Sequence, residues 1–482
     1  MKPKILITTL LITIIFSACG SSVENPSDSD ANTTETTTAE IDYMETLPVI
    51  NYEGYTFKVI GYHIPDRVTF PADEENGEPL NDALFRRNRF VEERYNINFV
   101  NVPFPDRPSV VAAVRKSIQA QDNAYDIILT SLGDGLNLLA PEGNLYDLNS
   151  IGYLQLDSAW WCKYVYEDFQ VNDKIFYSTG PIVPFFYFTP CTVMYNKKLA
   201  SDLNIGDLNK LVFNNEWTAD KFLSIIKDQN RDLDGDGVMT KENDFFGLAS
   251  DPAAATAFIA GFGQKMTVRD KDTFFKLNYE SQSMVNAIEK AKEIILEPAS
   301  TFNGALTGFR QYDEWTPFLE NRILFMIGST AVPSLTLRNM ESDFGVLPFP
   351  KWNAAQENYY SDGIPFGPTG AGVPSYCDNP ERTGLIMETM AYVSYELVRP
   401  AMYDNILYQK STRDAESQQM LDLIFSGLSF DLNVMHNFGG SYTLIRTIVN
   451  EGKGDFVSGY AAIKDKAEAE IQVLIDAYMQ VS

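Results

Sequence analysis

Tyr55-Thr56-Phe57-Lys58-Val59-Ile60-Gly61, Ile97-Asn98-Phe99-Val100-Asn101-Val102 and Tyr125-Asp126-Ile127-Ile128-Leu129 are three short runs rich in β-branched and aromatic residues. Two stretches of helical period separate them. In the first, Leu80, Leu84, Phe85, Val91 and Tyr95 recur among charges; the second covers 109–120. Runs of period two alternating with periods near 3.6 predict strand, helix, strand, helix, strand. Such an order builds a parallel sheet covered by helices, whose ligands bind beyond the carboxyl ends of the strands. The loops after the first and third strands, Tyr62-His63 and 130–135, are therefore the first places to look for a site.

Outward from this segment, the chain is 482 residues long and 45% hydrophobic, which is enough for two or three domains and too apolar for disorder. Asp and Glu number 65 against 38 Lys and Arg, a net charge of -27 with no basic block after residue 4. Nucleic acid and anionic membrane surfaces, which demand a basic face, are excluded as partners. With two His (His63, His436) and four Cys (Cys19, Cys162, Cys191, Cys377), a Cys/His zinc cluster or a histidine-based triad is hard to assemble.

Residues 1–18 carry Lys2 and Lys4, an apolar run 5–16 too short to span a bilayer, and small residues before Cys19, the layout of a secretory signal peptide. Phe16-Ser17-Ala18-Cys19 resembles a bacterial lipobox, which implies lipid on the Cys19 thiol and cleavage before it, with Phe16 in place of the usual Leu. Residues 19–45 are then a lipidated Cys and a flexible Ser/Thr linker. The acids Glu24, Asp28, Asp30, Glu35, Glu40 and Asp42 stand in it unopposed by Lys or Arg. Loss of 1–18 removes two lysines and no acid, leaving -29. Cys162, Cys191 and Cys377 allow at most one internal bridge.

Several motifs in order carry a resemblance: Asn81-Asp82-Ala83, Glu92-Glu93-Arg94-Tyr95-Asn96, Tyr125-Asp126-Ile127-Ile128, Gly143-Asn144-Leu145-Tyr146-Asp147-Leu148 and Trp160-Trp161. Met194-Tyr195-Asn196-Lys197-Lys198-Leu199, Phe325-Met326-Ile327-Gly328 and Asp343-Phe344-Gly345-Val346-Leu347-Pro348 follow. Over residues 45–480 the chain resembles extracellular carbohydrate-binding lipoproteins of bacterial ATP-binding-cassette importers, akin to maltose- and oligosaccharide-binding proteins. The resemblance implies a two-lobed α/β fold of the type II periplasmic-binding-protein kind, each lobe a mostly parallel sheet flanked by helices, with hinge strands between. It places lobe 1 at 46–188 with a return at 359–405, lobe 2 at 189–358, and C-terminal helices 406–482 completing lobe 2. It further implies a monomer with no enzymatic activity, on the outer face of a Gram-positive cell membrane and anchored only by lipid. That monomer would deliver a carbohydrate, an oligosaccharide first, to permease subunits.

Asp232-Leu233-Asp234-Gly235-Asp236-Gly237-Val238 has carboxylates at alternate positions and Gly at the sixth, as a calcium loop requires. The expected ligands are Asp232, Asp234, Asp236, the Val238 carbonyl, and Asn243 or Asp244 in place of the usual closing Glu. The alternative is a solvated acidic turn.

Aromatic residues make up 13% of the chain. Ring faces stack on sugar C–H patches while Asp, Ser and Thr bond the hydroxyls, so an aromatic and acidic cleft suits neutral glycans. Loop position nominates Tyr62, His63, Thr130 and Asp134 from lobe 1, and Tyr187 and Thr189 at the crossover. Asp251, Phe258, Ser329 and Thr330 are nominated from lobe 2, while Trp160, Trp161 and Trp217 read as core. A surface glycoside hydrolase, with its pair of carboxylates, and a static carbohydrate-binding or sensor lipoprotein are the rival readings.

Overall fold

The computed structural model describes residues 43–62, 74–250, 252–271, 273–297, 301–303, 315–337, 340–366, 370–406 and 415–481. The expected signal peptide and Cys19, with all but the end of the expected linker, lie outside these residues. Tyr43–Thr46 forms one helical turn in a unit of its own, and the rest of the chain is a second unit.

Within that second unit, the three opening runs are strands Tyr55–Tyr62, Ile97–Phe104 and Ile127–Thr130. Both neighbours of the first pair with it in parallel, Tyr55 opposite Ile97 and Val59 opposite Ile127. Gly370–Gly372 closes the sheet antiparallel against Ile128–Thr130. Pro79–Tyr95 begins on a proline, whose fixed φ suits a helix start, and ends on Asn96 in the left-handed region. Asp106 caps Arg107–Ala120 by accepting from the Ser109 amide at 2.8 Å. Helix Pro380–Val393, buried almost throughout, completes the layer. Inside it Glu388 accepts from the indole N–H of both Trp160 (2.7 Å) and Trp161 (2.9 Å) and from the Gln155 amide (3.2 Å), which fixes the tryptophan pair in lobe 1.

The second sheet orders its strands Phe344–Leu347, Cys191–Asn196, Ile323–Ser329, Phe246–Ser250, Thr301–Asn303. Cys191–Asn196 runs antiparallel to both neighbours, and the remaining pairs are parallel. The lobe is built around Trp217, fully buried, its indole donating to the Pro348 carbonyl at 2.9 Å, with Phe222, Phe258 and Phe325 around it.

Between the sheets, three segments run side by side. Pro190 bridges Gly363, the Ile364 amide donates to Thr189 O (3.1 Å), and Ser361–Asp362 pairs in parallel with Leu428–Ser429. Gly363 has to be glycine here, because a Cβ would come within 2.4 Å of the Phe430 ring.

The last helix, Phe456–Gln480, expected with 406–482 to complete lobe 2, touches both lobes. Phe456 and Tyr460 pack on Tyr279 of lobe 2, but one end later Tyr478 stacks on Phe176 and Lys174 Nζ donates to Val481 O in lobe 1. Twenty-five residues at 1.5 Å rise reach across both lobes, which a shorter helix would not. No helix among the described residues is long and apolar enough to cross a membrane.

Glu388→Ala strands the buried Trp161 indole N–H, at a cost of about 1–3 kcal/mol, and removes the acceptor of the half-buried Trp160 and the exposed Gln155 amide. Urea unfolding followed by tryptophan fluorescence should show a loss of at least about 1 kcal/mol, smaller for Glu388→Gln. An unchanged midpoint would contradict this packing.

Candidate functional site

The carboxyl ends of the two sheets meet the same crossing segments from opposite lobes. After strand Ile127–Thr130, Ser131 Oγ donates to Pro365 O (2.8 Å), and Gly133 N donates to the same carbonyl (3.0 Å). After strand Ile323–Ser329, Thr330 N donates to Pro190 O (3.0 Å) and Thr330 Oγ1 to Tyr187 O. The strand ends of both lobes thus border one region against the hinge, the position that α/β sheets use for ligands.

Lobe 1 contributes a tight turn, Leu132–Leu136. Its Gly135 allows the close approach of Thr130, whose Cγ2 would lie 2.7 Å from a Cβ there. Asp134 pairs with Arg107 at 3.1 Å through Oδ2, and Arg107 also donates to Phe366 O. Its other oxygen, Oδ1, is shut from water and accepts no hydrogen bond. Thr130 Oγ1, at the end of a lobe 1 strand, and Ser250 Oγ, at the end of a lobe 2 strand, are likewise buried and unpartnered. Buried polar atoms are nearly always satisfied, and of the ten among the described residues that are not, these three lie at or just after strand ends, where a polar group from outside would satisfy them.

Of the ten ligand residues nominated from sequence, His63 and Asp251 lie outside the described residues. Tyr62 ends its strand, buried, and Asp134 and Thr130 face the strand-end region as described. Ser329 is half-buried at its strand's end. Four nominations are buried in other contacts. Phe258 is fully buried against Phe222, Phe262 and Phe349, because its helix Ala254–Gly261 is apolar on every side. Thr189 donates to Phe186 O and Thr330 to Tyr187 O, so both buried hydroxyls are spent on holding the crossover. Tyr187 is buried in an aromatic cluster with Phe186, Tyr403 and Phe425. Arg107, Ser250 and Phe366 escaped notice. His436 ends helix Leu432–His436, half-buried, with Nε2 2.9 Å from Asn137 Oδ1. Burial holds its imidazole down at about 4, hence neutral.

Within the hinge strand, Asp362 is buried and accepts from Thr256 Oγ1 at 2.9 Å. Burial, reinforced by the Asp431 carboxylate, pushes it up to about 7. Asp431 is itself raised by burial, although it accepts from Thr267 and Asn433. Asp168, raised by burial in turn, is paired with Lys265. No local sequence pattern announces this cluster, since its members are drawn together only by the crossing.

In the acidic loop, Asp232 accepts from Gly235 N (2.6 Å) and Gly237 N (2.8 Å), contacts that hold its carboxyl below the usual range. Buried Asp244 accepts from Leu233 N (2.9 Å) and Thr240 N (2.6 Å), closing the loop. Oxygens of Asp232, Asp234 and Asp244 lie within 4.8 Å of one another. Asp236 accepts from Val238 N (2.7 Å), and the Asn243 amide N–H donates to Asp234 (2.9 Å). Cys162, Cys191 and Cys377 are free thiols.

No protein-family model matches the chain, and no curated protein matches it by sequence. Solved structures share the fold. A sugar transporter protein of Rhizobium etli in an open conformation matches with TM-score 0.56 and 14% identity over 88% of this chain and 100% of its own. The galacto-N-biose/lacto-N-biose I-binding protein of Bifidobacterium longum, in complex with lacto-N-biose, gives 0.55 and 13% over 89% and 99%. The Listeria monocytogenes maltose-binding periplasmic protein with maltose gives 0.54 and 13% over 89% and 99%. The fold of this chain is therefore the two-lobed one of such binding proteins, as the motif order implied.

Asp362 is favoured in its neutral form when folded, so its contribution to stability is present below about pH 4 and is lost as pH rises through about 7. Asp362→Asn should melt above the wild type at pH 8, with the gap closing toward pH 4. Equal melting curves at both pH values would rule out a buried acid at the hinge.

Proposed function

We propose that this chain is a lipid-anchored extracellular binding protein. In this reading it captures a neutral carbohydrate, oligosaccharide-sized, between its lobes and delivers it to an ATP-binding-cassette permease without chemistry on the ligand. The observation that carries the reading is the set Thr130 Oγ1, Asp134 Oδ1 and Ser250 Oγ, unpartnered at strand ends of both lobes. A sugar offers hydroxyl groups that both donate and accept, which two Ser/Thr hydroxyls and a carboxylate oxygen require. That relatives in fold bind lacto-N-biose and maltose supports the class of ligand. Hydrolysis is disfavoured because Asp134 is tied to Arg107, and Asp362 and Asp431 are spent on hydrogen bonds inside the hinge.

Thermal-shift screening of the mature protein against oligosaccharides, maltose and lacto-N-biose included, tests this. Ligand at 100 times its dissociation constant adds about 2.7 kcal/mol to the bound fold. Asp134→Ala and Ser250→Ala, one in each lobe, should each weaken binding roughly tenfold, in line with about 1–3 kcal/mol per lost buried partner. A carbohydrate bound with neither variant weakened would remove the shared site. Reducing ends released by the purified protein would favour the hydrolase.

Two further parts of the proposal have their own tests. Cys19→Ala should move the protein from the membrane fraction to the medium or leave it unprocessed; unchanged fractionation counts against the anchor. Calcium as a structural ion in the 232–244 loop draws support from the convergence of Asp232, Asp234 and Asp244. Millimolar calcium should raise the melting temperature of the wild type and not of Asp234→Ala. No rise in the wild type reduces the loop to an acidic turn.

A further inference from the structure

Apart from Tyr187, no residue nominated for the ligand lines the cavity of about 490 Å³ that lies on the crossover between the lobes, a volume within the usual range for small-molecule sites. Trp161, tied to Glu388, and Tyr395, Arg399 and Tyr403 come to it from lobe 1, where helix Arg399–Ile406 packs on helix Pro79–Tyr95. Asp422 and Phe425 come from helix Ala415–Ser426, which lobe 2 holds through Met420 in its core and through Glu416, bonded to Asn209 at 3.1 Å. Tyr187, on the inner wall, has a buried hydroxyl with no hydrogen-bond partner.

The wall chemistry selects the guest. Arg399 sits over the faces of Tyr395 (4.7 Å) and Tyr403 (5.3 Å) and is paired with Asp422, while Lys163 at the rim is matched by exposed Asp157, so the lining carries no net charge to select an ion. A neutral guest suits it. The ion pair offers it a donor and an acceptor side by side. Arg399 Nη2 and Tyr403 Oη both bond Asp422 Oδ1 at 3.0 Å, leaving the half-exposed carboxylate's Oδ2 for a hydroxyl of the guest. Half-buried Tyr164, Tyr395 and Phe425 supply ring surface for an apolar C–H face.

We infer that this cavity is a second binding site, for a neutral sugar ring, bounded by Tyr395 and the Arg399–Asp422 pair and separate from the strand-end region that borders Asp134. Because Arg399 and Asp422 belong to different lobes, a ring bridging them binds one lobe arrangement better than another, and its occupancy is linked to the hinge. The inference shares a ligand class with the proposed function but does not depend on the strand-end site being a sugar site.

The experiment is ligand-observed saturation-transfer NMR with glucose, galactose, N-acetylglucosamine, maltose and lacto-N-biose as probes. The proteins are the mature wild type, Asp134→Ala, Tyr395→Ala and Asp422→Asn, each checked for an unchanged melting transition. At least one probe should bind Asp134→Ala as it binds the wild type. That binding should fall at least fivefold in both Tyr395→Ala and Asp422→Asn. Binding lost in Asp134→Ala and kept in both pocket variants overturns the second site and leaves the proposed function standing. Binding lost only in the pocket variants supports the second site and removes the strand-end reading. No signal from any probe in Asp134→Ala also overturns the inference.

Discussion

The hydrogen-bonded crossing of three chain segments between the lobes is the constraint on which the rest depends. Thr189-Pro190, 361–364 and 427–429 run side by side, so each lobe is sewn from pieces distant in sequence and neither closes its sheet without the crossing. The same segments receive the strand ends. Pro365 takes Ser131 and Gly133 from one lobe, and Pro190 takes Thr330 from the other. The crossing and the strand-end loops are therefore coupled by direct hydrogen bonds.

That geometry sets what a ligand has to supply. Only differential affinity for one lobe arrangement shifts the equilibrium, and about 5.5 kcal/mol moves it from 1:99 to 99:1. Three buried orphan atoms finding partners, each at about 1–3 kcal/mol, would supply a large part of that requirement. Two features oppose free rotation. The final helix packs on Tyr279 at one end and Phe176 at the other, and the Arg399–Asp422 pair joins the lobes beside Tyr187. Any change in lobe arrangement has to be compatible with a helix that packs on both lobes.

Much of this was legible in the sequence because it is local. The Tyr55 to Leu129 segment announces its sheet by period alone, and the carboxylate spacing from Asp232 announces its loop. Residues defined by distant contacts were not legible. Phe258 sits in a helix apolar on all sides, so loop proximity suggested a ligand contact where burial made a core residue. Asp244 could not be separated from Asn243 by counting, since the Leu233 and Thr240 amides that orient it exist only in the folded loop. His436 is decided by Asn137, 299 positions away, and Asp362 by Thr256 and Asp431, brought together only by the crossing. The strand-end orphans have no sequence signature, because an unpartnered hydroxyl is recognised only when its surroundings are known.

Small-angle X-ray scattering on the mature protein, with and without a saturating oligosaccharide found by binding, tests the central claim most directly. Capture between lobes predicts a smaller radius of gyration when bound, reversed on removal of the sugar, as in hinge closure. An identical scattering curve with the sugar demonstrably bound would contradict it and leave a static carbohydrate-binding protein on the same fold.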